Sequence, residues 1–142
     1  MRVLVADDQP FIRRGVSSLL QSREDVEVCA EAADGQEAYT RAMESKPDLV
    51  LLDVNMPVLD GFRTAKKIKD ALPETNILMF SIEDGPEFVR VSKFVGAQGF
   101  VTKTDLVDSL LEAVDAIRAG ETFFKGPKGR KRRKLLSVRV RA

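Results

Sequence analysis

Five short apolar runs alternate with five longer segments of helical period, and this alternation constrains the fold of the chain more than any other feature. The runs are Val3 to Ala6, Val26 to Ala30, Leu49 to Leu52, Ile77 to Phe80 and Gly99 to Val101. Three of them are nearly free of polar residues, as expected of strands buried on both faces of a parallel sheet. The first helix is expected from about Pro10, with Ile12, Val16, Leu19 and Leu20 as its apolar stripe. Asp34 with Glu37, and Asp84 with Glu87, have capping-box spacing for the second and fourth helices. Asp60 suits the cap of the third, which carries Phe62, Ala65, Ile68 and Leu72 before Pro73. Leu106, Leu110, Val114 and Ile117 line the fifth, and Gly96 and Gly120 suit helix ends. The pattern predicts an α/β fold, a doubly wound five-stranded parallel sheet with five helices.

Ligands of such sheets bind beyond the carboxyl ends of the strands, where strand order reverses. The residues just past the strands are Asp7 and Asp8, Asp53, Ser81 and Lys103. Carboxylates gathered at one rim repel one another, so they need raised pKa values or a cation. Mg²⁺ suits such a set, because it prefers hard oxygen ligands and commonly binds one or two carboxylates plus phosphate oxygens. An aspartate is also a nucleophile toward phosphorus. Asp53 is best placed for that role, at the end of an apolar strand, with Lys103 as a point charge and Ser81 as a hydroxyl donor for a phosphoryl group.

Composition narrows the chemistry. The chain has no His and one cysteine, Cys29, so an internal disulfide is excluded and a phosphohistidine must come from another molecule. At 142 residues one compact domain is expected. No apolar run approaches the roughly 20 residues of a membrane span, and the start lacks a secretory pattern, so a soluble cytoplasmic protein without membrane contact is expected. Net charge is +1, yet residues 126–142 hold 8 of the 23 basic residues and no acid, which leaves the body acidic.

The chain resembles the response-regulator receiver domains, the CheY-like family, over about residues 1–121. The resemblance rests on the Asp7–Asp8 pair, the run Asp53-Val54-Asn55-Met56-Pro57-Val58-Leu59-Asp60-Gly61, Ser81 and Lys103. It implies the flavodoxin-like strand order 2-1-3-4-5 and a two-component signalling switch rather than an enzyme. Asp53 is then the phosphoacceptor, supplied by a histidine kinase or phosphotransfer protein. Mg²⁺ is held by Asp8, Asp53 and the backbone carbonyl of Asn55, with Asp7 acting through a water. Lys103 contacts the phosphoryl group, Ser81 moves toward it, and Phe100 is the aromatic switch that turns inward. The changing surface is that of the fourth helix, fifth strand and fifth helix, which also offers a homodimer face, as do the first and fifth helices. From their positions, two residues beyond Ser81 and two beyond Asp53, Glu83 and Asn55 are expected to line the path of the water that hydrolyses the phosphoryl group.

One departure is that Thr104 follows Lys103 where the family often has a cis proline. A cis bond before Thr104 would cost roughly 3–4 kcal/mol, so trans is expected. The stretches 99–104 and 119–124 are similar to the NarL/FixJ-type branch, whose helix-turn-helix domain is not expected here. Residues 122–142 read as a basic tail, and nucleic-acid binding through it, or as the receiver part of a longer transcription regulator, is the alternative function.

Overall fold

The computed structural model describes residues 1–124. Its elements alternate as expected: β1 (Arg2–Ala6), α1 (Pro10–Gln21), β2 (Glu27–Ala32), α2 (Gly35–Ser45), β3 (Leu49–Asp53), α3 (Gly61–Ala71), β4 (Asn76–Ser81), α4 (Pro86–Phe94), β5 (Gly99–Thr102), α5 (Leu106–Arg118) and β6 (Phe123–Phe124). The strands form one parallel sheet in the order β2-β1-β3-β4-β5-β6. The sixth strand is new: Phe123 and Phe124, at the start of the segment read as a tail, pair with Gly99 and Phe100 on the open edge of β5. The tail from residue 125 onward lies outside the described residues.

Each strand contributes alternate side chains to two cores. Val3, Val5, Leu49, Leu51, Leu78, Phe80 and Val101 face α1 and α5, where Val16, Leu20, Leu110, Val114 and Ile117 cover them. Leu4, Ala6, Val50, Leu52, Ile77, Met79 and Phe100 face the opposite layer, against Ala38 and Ala42 of α2 and Ala65 and Ile68 of α3. Side chains in a strand have a period of two. Asp53 therefore continues the Leu49 and Leu51 row toward the α1/α5 side, where the sheet ends.

Helix ends largely follow their local chemistry. Asp34 accepts from the Glu37 N–H at 2.7 Å, and Glu37 accepts from the Ala33 N–H at 2.8 Å. Asp60 accepts from the Arg63 N–H at 3.0 Å. Gly96 and Gly120 adopt φ of +94° and +87°, and each closes a Schellman motif, with the N–H of the next residue bonded to Ser92 O or Ala116 O. The fourth helix differs from expectation. Its N-cap is Gly85 without a side-chain cap, because Pro86, with φ preset and no N–H to satisfy, takes the first helical position and leaves Asp84 outside.

One strained residue lies in the loop that follows Asp53. Val58 has φ +70°, its neighbours are joined by a Leu59 N–H to Pro57 O bond of 2.8 Å, and its side chain is 79% exposed. This is the strained form of the γ-turn, disfavoured for a β-branched residue. Val58→Gly is expected to raise stability by about 1 kcal/mol, as strain relief outweighs the entropy of glycine. The urea midpoint would read it, and a lower midpoint would contradict the strain.

Candidate functional site

The ends of β1, β3 and β5 bring the acidic residues and the lysine together because these strands run parallel and all finish at the same rim. Asp7, Asp8 and Asp53 can each present a carboxylate oxygen within 4.8 Å of the other two. Asp7 is fully buried and Asp53 is 2% exposed, whereas Asp8 faces solvent. Lys103 Nζ lies 2.9 Å from Asp7 Oδ2 and 3.3 Å from Asp53 Oδ2. It donates a hydrogen bond to Asp53. Its approach to Asp7 is an ion pair without hydrogen-bond alignment, so Asp7 Oδ2 is a buried oxygen with no hydrogen-bond donor. The ammonium also sits 5.1 Å from the centroid of the Phe80 ring, whose electron-rich face suits a cation.

Backbone amides orient the carboxylates. Gln9 N–H donates to Asp7 Oδ1 at 2.8 Å, and Asn55 N–H donates to Asp53 Oδ1 at 3.2 Å. Burial and the adjacent Asp7 carboxylate push the Asp53 carboxyl up to about 6, against the opposing pull of Lys103 and the Asn55 N–H. Burial works against the Lys103 charge, but Asp7 and Asp53 outweigh it and hold its pKa above the ordinary lysine value. The site therefore contains one cation against three acids, an imbalance that a divalent ion would correct. The donor set consists of hard oxygens only, as Mg²⁺ prefers.

Of the other expected residues, Ser81 is buried one residue past Phe80, the register partner of Asp53. Its Oγ accepts from the Glu83 N–H at 3.1 Å. Glu83 and Asn55 are exposed. Phe100 is 1% exposed and stacks on Phe88 of α4, with centroids 6.5 Å apart, and Phe88 stacks in turn on Phe62 of α3 at 6.4 Å. Among the described residues no peptide bond is cis, so Lys103–Thr104 is trans.

This arrangement is matched by known proteins. Residues 3–115 match the family described as the response regulator receiver domain. The chain belongs to the response regulator receiver domain family. The receiver domain is 40% identical over 124 residues to the oxygen regulatory protein NreC of Staphylococcus haemolyticus, covering 87% of this chain and 57% of that protein. It thus spans 57% of the length of the curated relatives it matches. Among solved structures it is similar to a LuxR-family two-component response regulator from Aurantimonas sp., with a TM-score of 0.84, 34% identity and 89% of each chain covered. It is also similar to the signal receiver domain of NarL from Mycobacterium tuberculosis, with a TM-score of 0.72, 36% identity, and 80% of this chain and 95% of that one covered. The receiver domain is a regulatory, phosphorylation-dependent signalling switch of the two-component type. No helix among its described residues is long and apolar enough to cross a membrane.

Sequence reasoning missed one residue that shapes this receiver domain's site. Arg13 Nη1 donates to the backbone carbonyl of Asp7 at 2.7 Å, and its Nε donates to Glu31 at 3.1 Å, which also accepts from Ser17 Oγ at 3.2 Å. The guanidinium ties the loop bearing both aspartates to α1 and β2. A signal was present: a cation near the start of a helix opposes the macrodipole and calls for a compensating partner.

Proposed function

We propose that Asp53 is the phosphoacceptor of this domain and that a histidine kinase or phosphotransfer protein is its donor. The observation that carries the reading is the convergence of three carboxylates and Lys103 at one rim, with Asp53 nearly sealed and its carboxyl held by one backbone N–H and the lysine. A carboxylate oxygen of Asp53 attacks the phosphorus, the P–N bond of the phosphohistidine breaks, and the leaving imidazole takes a proton. Lys103, already paired with Asp53, neutralises charge that builds on the phosphoryl oxygens.

The residues present fit Mg²⁺, as the excess of three carboxylates over one lysine and the all-oxygen donor set indicate. Asp8, Asp53 and the backbone carbonyl of Asn55 would hold it, with Asp7 acting through a water, and it would supply counter-charge for the dianionic phosphoryl group. Ser81 is then the hydroxyl that moves to the phosphoryl group, and Phe100 the aromatic that responds. The Phe100–Phe88 stack supports a route from β5 to α4. Partners or a second copy would read the faces of α4–β5–α5, where Phe94 is 85% exposed, or of α1–α5, where Phe11 and Val107 are exposed. The DNA-binding alternative, through the tail outside the described residues or as the receiver part of a longer transcription regulator, is not favoured, since the family match supports the switch.

The test is mass spectrometry of the whole chain after incubation with a small acyl-phosphate donor and Mg²⁺. The parent is expected to gain the mass of one phosphoryl group and Asp53→Ala none; equal gain in both would refute the assignment.

A further inference from the structure

The position of Lys103 raises a question of support. Its Nζ must lie between two carboxylates at the end of a side chain with four rotatable bonds, so the backbone that carries it has to be held firmly. That backbone is a three-residue 3₁₀ turn, Lys103–Asp105, reached through an ordinary trans peptide. Two threonine hydroxyls bracket the lysine. Thr102, the last residue of β5 and 4% exposed, accepts at Oγ1 from the Asp105 N–H at 3.2 Å, and its Oγ1 lies 3.1 Å from Thr104 Oγ1. A hydroxyl both accepts and donates, so one oxygen can hold both ends of the turn. Thr102 itself is anchored in the sheet opposite Ser81.

We propose that Thr102, through this hydroxyl bracket, is a positioning residue for Lys103 and so sets the rate at which Asp53 is phosphorylated. The inference rests on the reading of Lys103 and Asp53 given above. Thr102 touches neither carboxylate in the hydrogen bonds of the site; it acts through the turn. Removal of the hydroxyl frees the Asp105 N–H and lets the turn loosen, and the ammonium then spends less time between Asp7 and Asp53. Lys103 supplies no ligand oxygen, so its displacement removes no Mg²⁺ ligand, and the retreat of a competing cation leaves Mg²⁺ affinity equal or raised. A hydroxyl that only caps the turn would alter stability and leave the rate untouched.

The experiment uses the full chain, an acyl-phosphate donor and Mg²⁺, with phosphorylation rates followed by mass and Mg²⁺ affinity by calorimetry. Thr102→Val is expected to slow phosphorylation about tenfold, the consequence of losing roughly one hydrogen bond's net worth, with Mg²⁺ affinity equal to the parent's or higher. Thr102→Ser is expected to restore the parent rate. Thr104→Ala, at an exposed position that tolerates change, reads the same bracket from its outer end and should slow the reaction about threefold by the same reasoning. It decides the matter if Thr102→Val does not fold. Lys103→Met separates the two levels of inference: if it is slow while Thr102→Val and Thr104→Ala react like the parent, the positioning role is overturned and the site reading stands. If Lys103→Met itself reacts like the parent, the site reading fails. Slowing in Thr102→Val that Ser does not rescue, or that comes with a lost Mg²⁺ affinity, also overturns the role of the hydroxyl.

Discussion

Replacement of Asp53 by Asn is expected to make the protein more stable in the presence of a chelator at pH 7, by up to about 3 kcal/mol, while abolishing phosphoryl uptake. Three carboxylates lie within reach of one another, two of them shut away from water, and a single lysine offsets them. The Asp53 carboxyl is consequently pushed up to about 6 from 3.8. The folded protein therefore holds this proton more tightly than the unfolded chain does. Stability is lost as pH rises from the lower value through the higher one, and the whole loss is present at pH 7. Asn keeps the shape and removes the charge. Urea unfolding should place the variant's midpoint above the parent's at pH 7, and the two should converge near pH 4. Mg²⁺ should close most of this gap at 100 times the parent's Kd, where binding stabilises the parent by about 2.7 kcal/mol, and reverse the order near 1,000 times Kd, where it adds about 4.1 kcal/mol, since the variant has lost a ligand oxygen. A parent more stable than Asp53→Asn in chelator at pH 7 would contradict the crowding of the carboxylates.

Gly61→Ala should cost about 3 kcal/mol or more and slow phosphorylation as well. Gly61 opens α3, and its N–H donates to Val54 O at 2.8 Å. A Cβ there would overlap the carbonyl oxygen of Asp53 and come within 2.7 Å of Val54 Cα. Both obstacles are backbone, held by the central strand β3 between β1 and β4. Relief requires α3 to back away with Ala65 and Ile68, or the Asp53 peptide to turn and carry its carboxylate off Lys103. Gly15 is the contrast: an added Cβ meets nothing within 4 Å, and Gly15→Ala should stabilise α1 by about 0.5–1 kcal/mol. Chemical denaturation of both variants measures the difference, and equal small effects would show that the loop after Asp53 absorbs the methyl group.

Much of the fold was legible because the central strands are buried on both faces, which leaves an unbroken apolar run in the sequence. Leu49–Asp53 is buried throughout, as that logic requires. Caps such as Asp34 and Asp60 were legible because each acts on an N–H three residues away. Asp84 misled for the same reason: its spacing was right, but Pro86 is the stronger local determinant. The strand Phe123–Phe124 was not legible, since two residues carry no period and their pairing depends on the vacant edge of β5.

The chain's apolar pattern was enough to put Asp7, Asp8, Asp53, Ser81 and Lys103 at or just past strand ends, where Asp53 and Ser81 prove to be the last residues of β3 and β4, and parallel strands must finish at one rim. Packing of the folded chain, and nothing local, seals Asp7 while its neighbour Asp8 is exposed, sets Lys103 between Asp7 and Asp53, and brings Arg13 onto the Asp7 carbonyl. Ser81 has its hydroxyl engaged by the Glu83 N–H. The physical reason is one of range. Capping, turn and periodicity signals act over a few residues, whereas the contacts of Lys103 with residues 96 and 50 positions earlier exist only once sheet register and helix packing have set the distance between strand ends.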